Sequence, residues 1–272
     1  MRRKTIFLCF IIVTCFTGSV VPARSDAPFF PENNPTVLAM GLDIYQQYIN
    51  THKVLGEKES IEFEIVQAVG KRVINAVKMY YANRKATKEL EGFQWEINFI
   101  EERKANGWCF PGGKIAIYSS LLPVTQSEAS LAVVIAHEIA HVMLKHGDIR
   151  MKQYLKQYLG GKDLASSLTA KPIETKDFYR MAFANGDYVG SIRGFSPDDE
   201  AEADKLAAVF CAMAGYKAGE AIVFMERMLF FRNTGRTPEF ILSHPVDEQR
   251  IPRLKDLLDD IQRNYYKPIS RN

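Results

Sequence analysis

The stretch SEASLAVVIAHEIAHVMLKH at residues 127–146 decides the fold. Leu131, Val133, Val134, Ile135, Ile139, Ala140, Val142 and Leu144 fall on nearly every side of a helical projection, which predicts a helix surrounded by core. Thr125 and Glu128 have capping-box spacing at its start, and Gly147 stands past its expected end. His137 and His141 are four residues apart, one helical turn, so both imidazoles can reach a single metal ion. Ionisable side chains buried in such a helix need partners, and neutral imidazole is a preferred zinc ligand. Glu138 sits beside the pair, where it can take a proton from water at an open coordination position. His146 lies nine residues after His137, on the opposite face of a continuous helix. It is expected to be a solvated helix-end residue interacting with the negative end of the dipole.

Catalytic zinc sites usually take three protein ligands, so one more is required. A continuation with glycine at 144 and histidine at 147 would supply it from the same segment, but those residues are Leu144 and Gly147. The third ligand is therefore expected from a second helix, and SPDDEAEAD at 196–204 supplies candidates. Asp198 and Asp199 suit the positive end of a helix dipole on a solvated face. Glu200 and Asp204 share a different face, continuous with Ala207, Ala208 and Cys211. Glu200 reads as the metal ligand and Asp204 as the carboxylate that orients the site.

Outward from this centre the pattern is mixed. Apolar spacing predicts helices over 36–50, 61–81, 197–214, 218–231 and 248–264. Residues 95–100 alternate as a strand, and 107–110 and 114–118 flank Pro111-Gly112-Gly113 as a hairpin. One strand of that hairpin is expected to lie exposed along the cleft, where an extended substrate adds by main-chain hydrogen bonds. The segment 148–196 is the least legible; Ile149, Met151, Tyr154, Leu155, Tyr158 and Leu159 have helical spacing, ended by Gly160-Gly161. It reads as packing against the catalytic helices, with a lid or membrane-resting element over the cleft as the alternative. The expected architecture is α+β, mostly helical and single-domain, with a small β-sheet before the histidine-bearing helix.

Together, HEIAH at 137–141, DDEAEADKLAAVFCAMAGY at 198–216, and Ser243-His244-Pro245 followed by Arg250 resemble the CAAX-prenyl-protease-like zinc metallopeptidases, most closely their soluble exported bacterial members. The stretch from Asn106 to Gly113 is similar to the Asn-x-x-x-x-Pro-Gly-Gly segment that leads into that family's HEXXH helix. The resemblance runs over about residues 40–260. It implies a compact minigluzincin-like zincin fold, one Zn2+ per chain held by His137, His141 and Glu200, Glu138 as base, and Asp204 as orienter. It also implies that His244 and Arg250 lie near the metal in a His-Pro-x-x-x-x-Arg motif. His244 alone reads as a turn residue. Within the family pattern it either donates to the developing oxyanion, with Arg250 holding the loop or sharing that role, or ligates zinc and holds the enzyme latent.

The implied activity is hydrolysis of unfolded or misassembled proteins in the cell envelope, with membrane or outer-membrane assembly proteins as partners. A chaperone-like binder on the same scaffold and a membrane-anchored maturation protease with a narrow substrate are the alternatives.

Composition agrees with a globular protein: 272 residues, 47% hydrophobic and 25% charged, which excludes disorder. Of 35 basic and 32 acidic residues, four and one lie within the first 27, so the remainder balances and no nucleic-acid surface is implied. Those residues read as an export signal: Arg2, Arg3 and Lys4, an apolar run over 5–16, and small residues offering cleavage after Ala23 or Ala27. The run is shorter than the ~20 residues of a spanning helix. Cleavage leaves a domain at 28–272 in the periplasm or envelope, and retention as a membrane anchor is the alternative. Cys9 and Cys15 leave with the signal. Cys109 and Cys211 either pair or sit as two buried apolar side chains.

Overall fold

The computed structural model describes residues 35–158, 160, 163–183, 195–246 and 248–268. The expected export signal, Cys9 and Cys15 lie outside the described residues, as do Leu159 and Gly161.

Four short strands form one mixed sheet in the order β1-β2-β4-β3: β1 is Val54–Leu55, β2 Glu96–Ile100, β3 Gly107–Phe110 and β4 Lys114–Tyr118. β2 runs parallel to β4, while β1 and β3 pair antiparallel with their neighbours. The β3–β4 hairpin closes through Gly112 and Gly113, both at positive φ. A Cβ at Gly113 would stand 2.8 Å from the Trp95 ring, so the turn excludes a side chain there as well as favouring glycine.

Alternation along the strands divides the interior in two. Ile97, Phe99, Cys109, Ile115 and Ile117 point into one core, shared with α2 (Glu62–Asn83), α4 (Glu128–Met143), α8 (Pro197–Met213), α9 (Glu220–Asn233), α10 (Glu239–Ser243) and α11 (Arg250–Tyr265). Ile100, Trp108, Phe110, Ala116 and Tyr118 point into the other, shared with α1 (Pro35–Thr51), α5 (His146–Tyr158), α6 (Leu164–Ala170) and α7 (Pro172–Phe183). A single turn, α3 (Leu122–Thr125), joins β4 to the central helix. The architecture is the expected α+β, mostly helical with one small sheet. Among the described residues no helix is long and apolar enough to cross a membrane.

α4 is the axis of the first core: every residue from Ser130 to His141 is buried. It packs most extensively on α8, and both helices are rich in alanine, which lets their backbones approach. The structure corrects its expected ends. Ser127, not Thr125, is the N-cap, its hydroxyl accepting from the Ser130 N–H at 3.1 Å. The helix stops at Met143, because Lys145 adopts φ 60° and turns the chain. Gly147 lies inside α5 instead of past a helix end. A Cβ there would stand 2.2 Å from the Phe183 ring, so its smallness serves the contact between α5 and α7.

Two further expectations change. The described part of the 148–196 segment packs mainly through α5–α7 on α1 and the far face of the sheet, because its apolar residues Met151, Leu155, Leu164 and Tyr179 join the cluster that holds Trp108 and Phe110. The hairpin strand expected along the cleft is not exposed: β3 and β4 are buried at every residue. Rings from α1 and α7 (Tyr45, Tyr48 and Tyr179) lie against Trp108 and Phe110.

Candidate metal centre

α4 and α8 bring their polar residues to one point between them. The Nε2 atoms of His137 and His141 lie 2.9 Å apart. Glu200, in the first turn of α8, places Oε2 3.3 Å from His137 Nε2 and Oε1 3.6 Å from His141 Nε2. Its position is set by a full capping box: the Ser196 hydroxyl accepts from the Asp199 N–H, and the Asp199 carboxylate accepts from the Ser196 N–H. Asp199 therefore serves the helix end, though buried at 7% exposure and not on the solvated face expected of it, while Glu200, one residue on, faces inward at 1% exposure.

His244 completes the group, although it comes from the C-cap of α10. One donor atom from each of His137, His141, Glu200 and His244 lies within 4.8 Å of the others, all four residues buried. Ligands of a tetrahedral zinc, bound at roughly 2.0–2.1 Å, stand about 3.3 Å apart, so the set has the right dimensions. Glu200 Oε1, Glu138 Oε1 and His244 Nε2 are buried without a hydrogen-bond partner, and Glu200 Oε2 has an ion pair with Arg250 in place of one. Buried polar atoms are rarely left so, and three of them converging on two imidazole nitrogens fit a cation.

Each ligand candidate is held from behind. His137 Nδ1 lies 3.1 Å from Asp204 Oδ1, one turn after Glu200 on α8. Arg250, at the start of α11, donates to both Asp204 oxygens at 2.7 Å through Nε and Nη2. Its Nη1 donates to the Pro245 carbonyl at 2.8 Å and lies 2.9 Å from Glu200 Oε2. Arg250 thus ties α8 to the loop that carries His244. The ring of His244 stacks on Phe240, and its Nδ1 lies 3.3 Å from the Phe240 carbonyl, an acceptor only. The Ser243 hydroxyl, which can donate or accept, lies nearer at 3.0 Å from Nδ1, so either ring nitrogen can carry the proton while Nε2 faces the metal group.

The electrostatics follow from burial and from the charges that face one another here. Burial disfavours charge on His137, but Asp204 and Glu200 outweigh it and push the imidazole up to about 9. Burial raises Glu138 to about 8, against a lowering influence of His137. Burial holds His244 down at about 3 and, with help from the neighbouring cationic groups, keeps His141 well below the usual histidine range. Burial also opposes charge on Glu200 and Asp204, yet Arg250 and the imidazoles hold both carboxyls below their ordinary values. Glu138 Oε1 and His244 Nε2 face each other at 3.3 Å across the site.

All seven residues singled out in the sequence meet here: His137, Glu138, His141, Glu200, Asp204, His244 and Arg250. Two participants went unanticipated. Phe195 stacks on the His141 ring at 3.9 Å with the planes 20° apart, and the Arg150 guanidinium lies over the Phe195 ring. No periodicity or motif marks Phe195. His146 is the other: 1% exposed, with Nδ1 2.9 Å from His141 Nδ1, it is neither solvated nor on an opposite face. The turn at Lys145 breaks the continuous helix on which that expectation rested. Cys109 and Cys211 are free, buried thiols that do not pair.

Residues 61–258 match the model for peptidase family M48. The beta-barrel assembly-enhancing protease of Escherichia coli is 24% identical over 89% of this chain and 50% of its own length. Mitochondrial metalloendopeptidase OMA1 is 29% identical in Saccharomyces cerevisiae, over 65% of this chain and 50% of the relative. The Arabidopsis thaliana protein of that name is 41% identical over 61% of this chain and 32% of the relative. The chain thus spans half or less of the length of these relatives.

Proposed function

The chain belongs to peptidase family M48, and on that premise we propose that it is a zinc-dependent endopeptidase of the cell envelope that cleaves unfolded or misassembled proteins. The observation that carries the chemical part is the convergence of His137, His141 and Glu200 from two helices, with Glu138 Oε1 3.3 Å from the His244 Nε2 that joins the same group. One Zn2+ per chain, held by those three side chains, supplies the Lewis acidity that polarises a carbonyl and makes a water acidic near neutral pH.

The protein's own groups do the rest. Glu138, whose burial favours holding a proton, takes one from the attacking water and delivers it to the leaving amine. Asp204 fixes the His137 ring through Nδ1, and Arg250 fixes Asp204 and the backbone of the His244 loop. The envelope setting is supported by the signal-like N-terminus and by the likeness to a protease whose name refers to β-barrel assembly. Outer-membrane assembly proteins are the proposed partners on the same ground.

A specific observation favours a latent resting form. His244 offers a buried donor atom within 4.8 Å of those of His137, His141 and Glu200, and β3 is covered along its length. In this reading His244 is a fourth ligand at rest, and an extended substrate gains β3 only once its cover opens. The test is casein hydrolysis with metal analysis on the purified chain, beside Glu138→Gln and His244→Ala. One zinc per chain with activity lost in Glu138→Gln supports the protease. Activity that rises in His244→Ala supports latency, and activity that collapses there returns His244 to transition-state support. A chain that binds no zinc refutes the proposal.

A further inference from the structure

The two histidines of α4 are oriented by different chemistry. Behind His137 Nδ1 stands a carboxylate, Asp204, itself neutralised by Arg250. Behind His141 Nδ1 stands a second imidazole, His146 Nδ1, at 2.9 Å. The far nitrogen of His146 lies 3.4 Å from Glu202 Oε2 and 3.8 Å from Asp199 Oδ1, both at the start of α8.

The proton positions follow from the metal reading, on which this inference rests. His141 faces the ligand group through Nε2, so a neutral, ligating His141 carries its proton on Nδ1. That proton needs an acceptor at 2.9 Å, which requires an unprotonated Nδ1 on His146. The proton of His146 then resides on Nε2, directed toward the carboxylates of Glu202 and Asp199. We propose that His146 is the positioning residue of His141: it accepts from Nδ1, fixes the tautomer and ring plane of the ligand, and hands the orienting role on to α8. The turn at Lys145 makes this possible by swinging residue 146 back beside a helix it has just left. Packing alone would not demand a histidine; an acceptor placed at Nδ1 does.

The test compares acceptor position at constant burial. Asparagine carries its oxygen where histidine carries Nδ1, whereas glutamine reaches only the Nε2 position and leucine offers no acceptor. Zinc and cobalt affinities are measured by chelator competition on the full chain, with the apo melting temperature recorded for each variant. Loss of a partner behind a ligating histidine typically weakens metal binding ~10- to 100-fold. His146→Leu and His146→Gln are expected to show that loss and an altered Co2+ absorption spectrum, while His146→Asn stays within about threefold of wild type. Should His146→Leu fail to fold, the asparagine–glutamine pair decides alone. Equal affinity in all variants overturns the proposal, and so does an asparagine variant as weak as glutamine, since burial and not the acceptor would then matter. Wild type that binds neither metal overturns the metal reading itself and this inference with it.

Discussion

The two faces of the sheet are equally well buried but filled with different materials. The α4 side is mainly aliphatic and small, Phe99, Phe210, Phe224 and Phe240 apart: Val66, Val69 and Val73 on α2, Ala132, Ala136 and Ala140 on α4, and Ala203, Ala207 and Ala208 on α8 are all at or near zero exposure. The α1 side is aromatic and hydroxylated. There Tyr45 donates to the Ile115 carbonyl, Trp108 Nε1 to the Tyr118 hydroxyl, and Tyr179 to the Val37 carbonyl. Small residues allow two helices to approach closely enough for ligands from both to meet, and they leave the buried charges to the metal group. Large aromatic residues with a polar end do the opposite work: they lock a thin sheet in place from behind. The difference teaches that chemistry and anchorage are divided across one sheet.

If that division holds, damage to the two faces separates cleanly. The largest expected effect is Trp108→Ala, which removes a ring at 2% exposure touched by Tyr45, Tyr48 and Phe110. Stability should fall by about 3–5 kcal/mol, read by chemical denaturation, while zinc stoichiometry below the transition is unchanged. Loss of zinc in the folded variant would break the comparison.

Asp204→Asn tests the other face. It strips His137 of its carboxylate and leaves Arg250 without its bidentate partner. Metal affinity should drop ~10- to 100-fold by chelator competition, far out of proportion to any change in apo stability.

Asp148 sharpens the far side through pH. It is 8% exposed on α5, and burial pushes its carboxyl from 3.8 up to about 7, with Lys145 a minor opposing influence. A raised carboxyl binds its proton more tightly when folded. The stability it lends is complete below about pH 4 and is lost as pH rises through 7. Asp148→Asn should therefore flatten this part of the stability–pH curve and stabilise the protein at pH 8 by roughly 1–3 kcal/mol, with little effect at pH 4. The smallest change expected is Tyr179→Phe, which loses one buried hydroxyl donor to Val37 and costs about 1 kcal/mol by the same denaturation measurement.

Much of the near face was legible in the sequence because its constraints are local. The four-residue spacing of His137 and His141 and of Glu200 and Asp204 states a shared helix face directly. His244 and Arg250 were placed by resemblance to a family pattern; nothing in their own spacing links them to α4. The long elements α2, α4, α8 and α11 were found within a few residues of their ends. What escaped was decided by tertiary contact or by single dihedral angles. α3, α6 and α10 are too short for periodicity, and the burial of β3 depends on rings from α1 and α7. His146 was misplaced because the break comes at Lys145, where a lysine and not a glycine takes the left-handed turn.

The two thiols, one on β3 and one on α8, have a practical consequence. Cys109 and Cys211 are unpaired, nearly fully buried, and held protonated by their surroundings. Neither can attack a disulfide or an alkylating reagent until its element opens. These two thiols are therefore indifferent, in the folded protein, to whether the compartment oxidises or reduces. It also carries two built-in clocks: labelling at Cys109 times the exposure of the hairpin, and labelling at Cys211 times the parting of the helices, with no probe to be engineered.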